Sequence, residues 1–323
     1  MSSSAPQPHG RLEHFPVSFF ATVMGTSALA IAWKKAHAVA GLPAVVGDVL
    51  QWWGLALFIV VLAIYLTKMT LHPGAVRHEL GHPIRLNFFP TISISLLLLA
   101  ALFVEANPAF ATWVWSLGAA LHLGFTVYVM SGWIHHTHYE IKHANPAWFI
   151  PVVGNVVVPV AGVSLAPVEI SWFFFSIGIV FWGVLQTIVL YRLFFHEPLP
   201  ARLTPTLFIL IAPPAVAFIA YVKLTGGVDA FARILYYAGL FLTLLLASNA
   251  LRFFRTPFFL SAWAYSFPLA AITIATFVMR EKLGGPFFEG LSLLLLTVLS
   301  LVLAALTGRT IIGAARGEIC QPE

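Results

Sequence analysis

Ten long apolar stretches, separated by short links or by polar runs, set the pattern of this chain. A membrane-crossing helix needs about 20 mostly apolar residues at a rise of about 1.5 Å each. Ten windows meet that demand: 15–33, 48–68, 87–104, 109–133, 149–166, 169–192, 204–222, 229–251, 258–279 and 287–308. Most links from an odd stretch to the following even one are short, such as 105–108 and 167–168, while the even-to-odd links are longer and polar. The pattern predicts five helical hairpins in series.

Prolines divide the stretches into two classes. Pro159 lies in the fifth, Pro213 and Pro214 in the seventh and Pro268 in the ninth, with Pro16 and Pro90 nearer the starts of the first and third. The even stretches contain none. Pro90, Pro159, Pro214 and Pro268 recur as a loose architectural repeat without sequence identity. Proline inside a helix removes a backbone hydrogen bond, and in lipid the freed carbonyl needs another partner. Odd helices are therefore expected on the inside, around an axis, with straight even helices outside them.

The odd stretches also carry small and polar residues, among them Gly25, Ser95, Asn155, Ser266 and Thr273. These are candidates to line a central pore; the competing reading is close helix packing through small residues. No Asp, Glu, Lys or Arg lies at membrane depth in the odd stretches. Intramembrane charge marks proton relays and ion-coupled sites, so its absence favours a passive path over a proton-driven pump. Phe267 precedes Pro268. A residue before proline is pushed away from the α region, so Phe267 is expected at a break, with its ring placed to close a constriction. Packing as an ordinary core ring is the alternative.

Composition agrees with lipid as the main solvent. The chain is 60% hydrophobic and 9% charged, with a mean hydropathy of +0.92, against about 25% charged residues in soluble domains. The first stretch, which ends at Lys34–Lys35, reads as a retained span and not a signal peptide. The formal charge of +5 reads as basic residues flanking membrane spans, not as a nucleic-acid surface. Eleven of the 17 Lys and Arg residues fall on the side of the N-terminus. By the positive-inside rule both termini are cytoplasmic, with 1–14 and 309–323 as tails about a 15–308 transmembrane channel domain, in a bacterial inner membrane. The single cysteine, Cys320, rules out an internal disulfide framework and a cysteine metal cluster.

One motif suggests different chemistry. His78-Glu79-Leu80-Gly81-His82 has the H-E-x-x-H spacing that puts two zinc ligands on one helical face beside a general base. Pro83 and Gly81 oppose helix at its end, and the motif falls in the polar loop between the second and third stretches. A third ligand is hard to supply: Asp48 and Asp229 belong to the other side, Glu105 lies about 30 Å away across one span, and Glu140 has no motif around it. A membrane metalloprotease is thus the remote reading; neither an enzyme nor a metal or other cofactor is expected. His135, His136, His138 and His143 read as a solvated interfacial loop. His122, alone in the fourth stretch, is expected to hydrogen-bond between helices.

Several segments resemble one family. The run Trp263-Ala264-Tyr265-Ser266-Phe267-Pro268 resembles the matching helix of plant guard-cell slow anion channels. His82-Pro83-Ile84-Arg85-Leu86-Asn87-Phe88-Phe89, Phe15-Pro16-Val17-Ser18-Phe19-Phe20 and 145–151 also fit, in order, over nearly the whole chain. The chain is identified as a member of the tellurite-resistance/dicarboxylate transporter (TDT) family, which includes bacterial tellurite-resistance protein TehA, malate permeases and sulfite exporters. The resemblance implies an all-α membrane fold of ten helices with quasi-five-fold hairpins and inner helices around a pore. It also implies a homotrimer with one pore per protomer, and a gating role for Phe267. Where some bacterial members carry a proline inside helix one, this chain has Thr22-Val23-Met24-Gly25, so Gly25 is expected to serve in its place. Set beside the plant channels, the chain is expected to lack their long N- and C-terminal tails. The function expected is a gated, passive channel for small monovalent anions such as chloride or nitrate. The alternative is a carrier or exporter of dicarboxylate, sulfite or a tellurium oxyanion.

Overall fold

The computed structural model describes residues 10–135 and 139–321, apart from the side chain of Phe254. His136 and His138 lie outside the described residues. Among the described residues, ten helical spans are long and apolar enough to cross a membrane: Val17–Ala40, Ala44–Leu71, Arg85–Phe103, Pro108–His135, Pro146–Leu165, Val168–Phe195, Ala201–Thr225, Ala230–Ala247, Leu260–Leu283 and Pro286–Ala315. Each expected window falls within or largely overlaps one of them. The helices overrun most windows because amphipathic ends such as Lys34–Lys35 and Arg309 extend the helix past the apolar run.

Burial separates the spans as the prolines do. In the odd spans between 67% and 83% of the most apolar window is buried, against 28% to 39% in the even ones. The odd helices pack in a closed ring: first on third, third on fifth, fifth on seventh, seventh on ninth and ninth on first. Each even helix packs on the odd helix that precedes it. The result is five hairpins around an axis, with inner helices buried by protein and outer helices facing lipid along most of their surface.

The outer helices show how the sequence achieves this. The second span buries Gly47, Gln51, Gly54, Phe58, Val61, Tyr65 and Lys68, a stripe at alternating steps of four and three. That stripe is one helical face, and the rest of the span is apolar toward lipid. Glycine on the stripe lets backbones approach: a Cβ on Gly178 of the sixth span would stand 2.4 Å from Val156 Cγ1 of the fifth.

The inner helices are irregular in one repeated way. Four of them open with 3-10 geometry and then become α-helical: Val17–Phe19 before Phe20–Ala40, Arg85–Phe88 before Thr91–Phe103, Ala201–Ile211 before Ala212–Thr225, and Leu260–Tyr265 before Ser266–Leu283. The fifth opens with 3-10 Pro146–Trp148, runs as α-helix over Phe149–Val153, and is interrupted by 3-10 Gly154–Val157 before Val158–Leu165. The marked prolines sit at these junctions. Pro159 is the second residue of its α-helix, Pro213 and Pro214 are the second and third of theirs, Pro268 is the third and Pro90 is an N-cap. At these positions a proline's missing N–H costs little, because the first four N–H groups of an α-helix have no partner within it.

This corrects the expected break at Phe267. The chain does not leave the helical region there; Phe267 lies in the first turn of an α-helix that follows a 3-10 turn. Gly25 lies within a single helix, Phe20–Ala40, and does not end it. The H-E-x-x-H segment is not a loop. Pro73–Gly81 forms a helix with proline at its start, and it ends where Pro83 requires, His82 being extended at φ −86° and ψ 125°.

Candidate functional site

The five inner spans enclose an axial cavity of about 70 Å³ at the end where their 3-10 segments lie. Every inner span contributes to its wall: Ser18 and Met24 from the first, Thr91 and Ile94 from the third, Phe149, Val153 and Gly154 from the fifth, Ile209, Pro213 and Val216 from the seventh, and Trp263, Phe267 and Pro268 from the ninth are among its residues. Phe267 is half-buried and lines this cavity together with Pro268 and Pro213. The wall is almost wholly apolar and holds no charged residue. Two of its hydroxyls are turned away to carbonyls, Thr91 Oγ1 donating to Phe88 O and Ser261 Oγ to Arg202 O. A cavity of this size exceeds the roughly 10–15 Å³ that one water needs.

The predicted site residues divide into two groups. Phe267, Pro213 and Pro268 meet at the cavity, whereas Pro90, Pro159 and Pro214 stand at their helix starts outside its wall. Gly25, Ser95, Asn155, Ser266 and Thr273 do not line the cavity either. Ser95 Oγ donates to Thr91 O, Ser266 Oγ to Trp263 O and Thr273 Oγ1 to Leu269 O. Asn155 Nδ2 donates to Thr126 Oγ1 of the fourth span at 2.9 Å and to Val152 O. Gly25 takes the close contact of Ser266, whose Oγ would stand 2.2 Å from a Cβ there. Asn155 and the Gly25–Ser266 approach join neighbouring spans, while Ser95, Ser266 and Thr273 satisfy their hydroxyls on carbonyls of their own spans. The wall residues the sequence did not single out, Met24, Phe88, Ile94 and Ile209 among them, are apolar side chains beside the 3-10 junctions; their nearness to the prolines was the available signal.

Glu79 has a different use from that of a catalytic base. Its carboxylate is buried, 3.1 Å from Lys68 Nζ and accepting the Tyr65 hydroxyl at 2.8 Å. Lys68 Nζ also donates to Phe15 O at 2.9 Å. The cluster fastens the helix Pro73–Gly81 and the start of the first span to the end of the second. His82 Nδ1 accepts the backbone N–H groups of Ile84 and Arg85 at 3.1 and 3.3 Å, so it shapes the turn into the third span. His122 makes the interhelical hydrogen bond expected of it, to Ser93 Oγ at 2.9 Å.

Charged groups gather at the other end of the ring. Lys34 pairs with Asp48 and Lys35 with Glu281, each at 2.6 Å, and Lys223 Nζ reaches Val160 O. Asp229 caps the eighth span by accepting Ala232 N–H at 2.9 Å. That backbone bond, followed by the Tyr221 hydroxyl, holds its carboxyl below the usual range.

The family model described as voltage-dependent anion channel matches residues 14–311. Among curated proteins, S-type anion channel SLAH2 of Arabidopsis thaliana is 33% identical over 94% of this chain and 60% of its own length. S-type anion channel SLAH3 of the same plant is 32% identical over 94% of this chain and 49% of its own. A tellurite resistance protein TehA homolog of Haemophilus influenzae is 24% identical, over 94% of this chain and 92% of its own length. The chain thus spans about half to three fifths of the two plant relatives.

Proposed function

The chain belongs to the voltage-dependent anion channel family, and on that premise we propose that it conducts small monovalent anions such as chloride or nitrate passively along the five-helix axis, with the Phe267 ring closing the path. The observation that carries this reading is the shared wall: all five inner spans line one cavity, and Phe267 is part of it. A path must bind its ion strongly enough to admit it and weakly enough to release it. An uncharged wall supplies the weak side of that balance. It favours anions that lose water easily, since no lysine or arginine stands there to repay dehydration. The positive edge of an aromatic ring supplies a mild attraction.

The proposed setting is a bacterial inner membrane with both termini cytoplasmic, supported by the basic residues on the side of the N-terminus. That places the cavity, which lies where the inner spans begin, toward the cytoplasm. The proposed homotrimer rests on the family resemblance. Substituting Phe267→Ala and measuring nitrate flux from proteoliposomes tests the reading: the flux should rise above wild type and remain selective for anions.

A further inference from the structure

His122 lies midway along the fourth span, Pro108–His135, with none of its surface exposed. Its Nδ1 stands 2.9 Å from Ser93 Oγ of the third span. That hydroxyl donates its only proton to Pro90 O at 2.8 Å. In the tautomer that carries the ring proton on Nδ1 and donates it to the serine oxygen, Nε2 of the neutral ring keeps a lone pair. Nε2 is buried and has no hydrogen-bond partner. It faces Gly154 of the fifth span, where a Cβ would stand 2.7 Å from it. Gly154 itself lines the axial cavity. A buried base thus stands behind the cavity wall at a residue with no side chain to screen it.

The surroundings offer a proton on Nε2 no counter-charge. The helix of His122 packs on Thr91–Phe103, Phe149–Val153, Gly154–Val157 and Val158–Leu165. None of these elements contains Asp, Glu, Lys, Arg, His, Cys or Tyr. On its own helix the other titratable residues are Tyr128, which is exposed, and His135 at the far end. A buried charge is costly unless it is paired. Negative charge can come within reach of Nε2 in the cavity, on the other side of Gly154.

We propose that His122 takes up a proton together with an anion in the cavity, so that the two enter as a neutral pair across Gly154. The inference rests on the anion path proposed above. The proton is drawn from the bulk solution by way of water in the cavity, leaving hydroxide in the medium, and adds to the Nε2 lone pair, while Nδ1 keeps its bond to Ser93. No protein bond breaks. One positive charge matches one negative charge, so the co-bound ion is monovalent. Linkage makes the effect reciprocal: acid tightens anion binding by the factor by which the anion tightens proton binding.

The test is nitrate efflux from proteoliposomes holding the full chain, measured between about pH 5 and pH 8, where a histidine can switch. Wild type and Phe267→Ala are each compared with the same protein carrying His122→Gln. Flux should rise on the order of fivefold or more toward acid, the lower end of usual coupling factors, and His122→Gln should flatten that rise while still conducting. As an independent readout, nitrate added to purified wild type in weak buffer should raise the pH through proton uptake, saturating at one proton per protomer. An unchanged pH profile in His122→Gln, or no proton uptake by wild type, overturns the inference and leaves the passive anion path standing. No nitrate flux at any pH, in wild type or Phe267→Ala, removes both.

Discussion

Gly25 and Ser266 stand close together between the first and ninth spans: a Cβ on Gly25 would stand 2.2 Å from Ser266 Oγ and 2.6 Å from its Cβ. Ser266 is fully buried and fixed by its bond to Trp263 O at 2.6 Å, so it has nowhere to retreat. Phe267 is the next residue. Gly25→Ala should lower stability by about 1–3 kcal/mol, the usual cost of overpacking, read as a fall in the thermal midpoint of the purified protein. Combining it with Ser266→Gly should restore much of the loss. A Gly25→Ala midpoint equal to wild type would mean that the two spans do not meet here.

The Lys68–Glu79 pair predicts a different kind of loss. Removing one partner of a buried ion pair costs about 3–5 kcal/mol, because the other charge is left without compensation. Glu79→Ala should therefore destabilise strongly, whereas the double variant Lys68→Met/Glu79→Leu should recover most of the stability. Tyr65→Phe, which removes only the hydroxyl bond to Glu79, should cost about 1 kcal/mol. Thermal unfolding of the three variants decides it. Equal losses in Glu79→Ala and the double variant would contradict the account of this cluster as a structural fastening.

The position of Pro268 predicts a small effect where an interior proline would give a large gain on removal. In the first turn of its helix the ring breaks no hydrogen bond and mainly restricts the unfolded chain. Pro268→Ala should lower stability by about 0.4–1 kcal/mol. A rise of several kcal/mol, as expected for relieving a helix-breaking proline, would show that the residue bends the helix after all.

The ten spans and their two classes were legible in the sequence because lipid imposes simple requirements. Each crossing must be long and apolar, and a proline needs a sheltered place. What the prolines do there was not legible. Pro213, Pro214 and Pro268 read as breaks inside helices, but 3-10 turns precede them and place them at α-helix starts, while the 3-10 turn before Pro159 interrupts its span between Phe149–Val153 and Val158–Leu165. A 3-10 turn and an α turn have the same apolar composition, so no residue pattern announces the change. The wall of the cavity was misjudged for a related reason. Ser95 and Thr273 are polar residues on inner helices, which suggested a wet surface, yet each hydroxyl is satisfied by a carbonyl four residues back. Such residues need no water and can pack between helices. Phe267 was legible, first as a ring beside a proline and then through the family resemblance. The approach of His122 to Gly154 was not, since it joins residues of two hairpins that only the packing brings together.

The central claim is that anions pass along the five-helix axis and that the ring of Phe267 obstructs them. The direct measurement is nitrate efflux from proteoliposomes carrying wild type or Phe267→Ala, with potassium flux recorded alongside as the cation control. The account predicts faster nitrate efflux in Phe267→Ala than in wild type and no matching rise in potassium. Nitrate efflux unchanged by the substitution, or a rise carried by potassium, would contradict it.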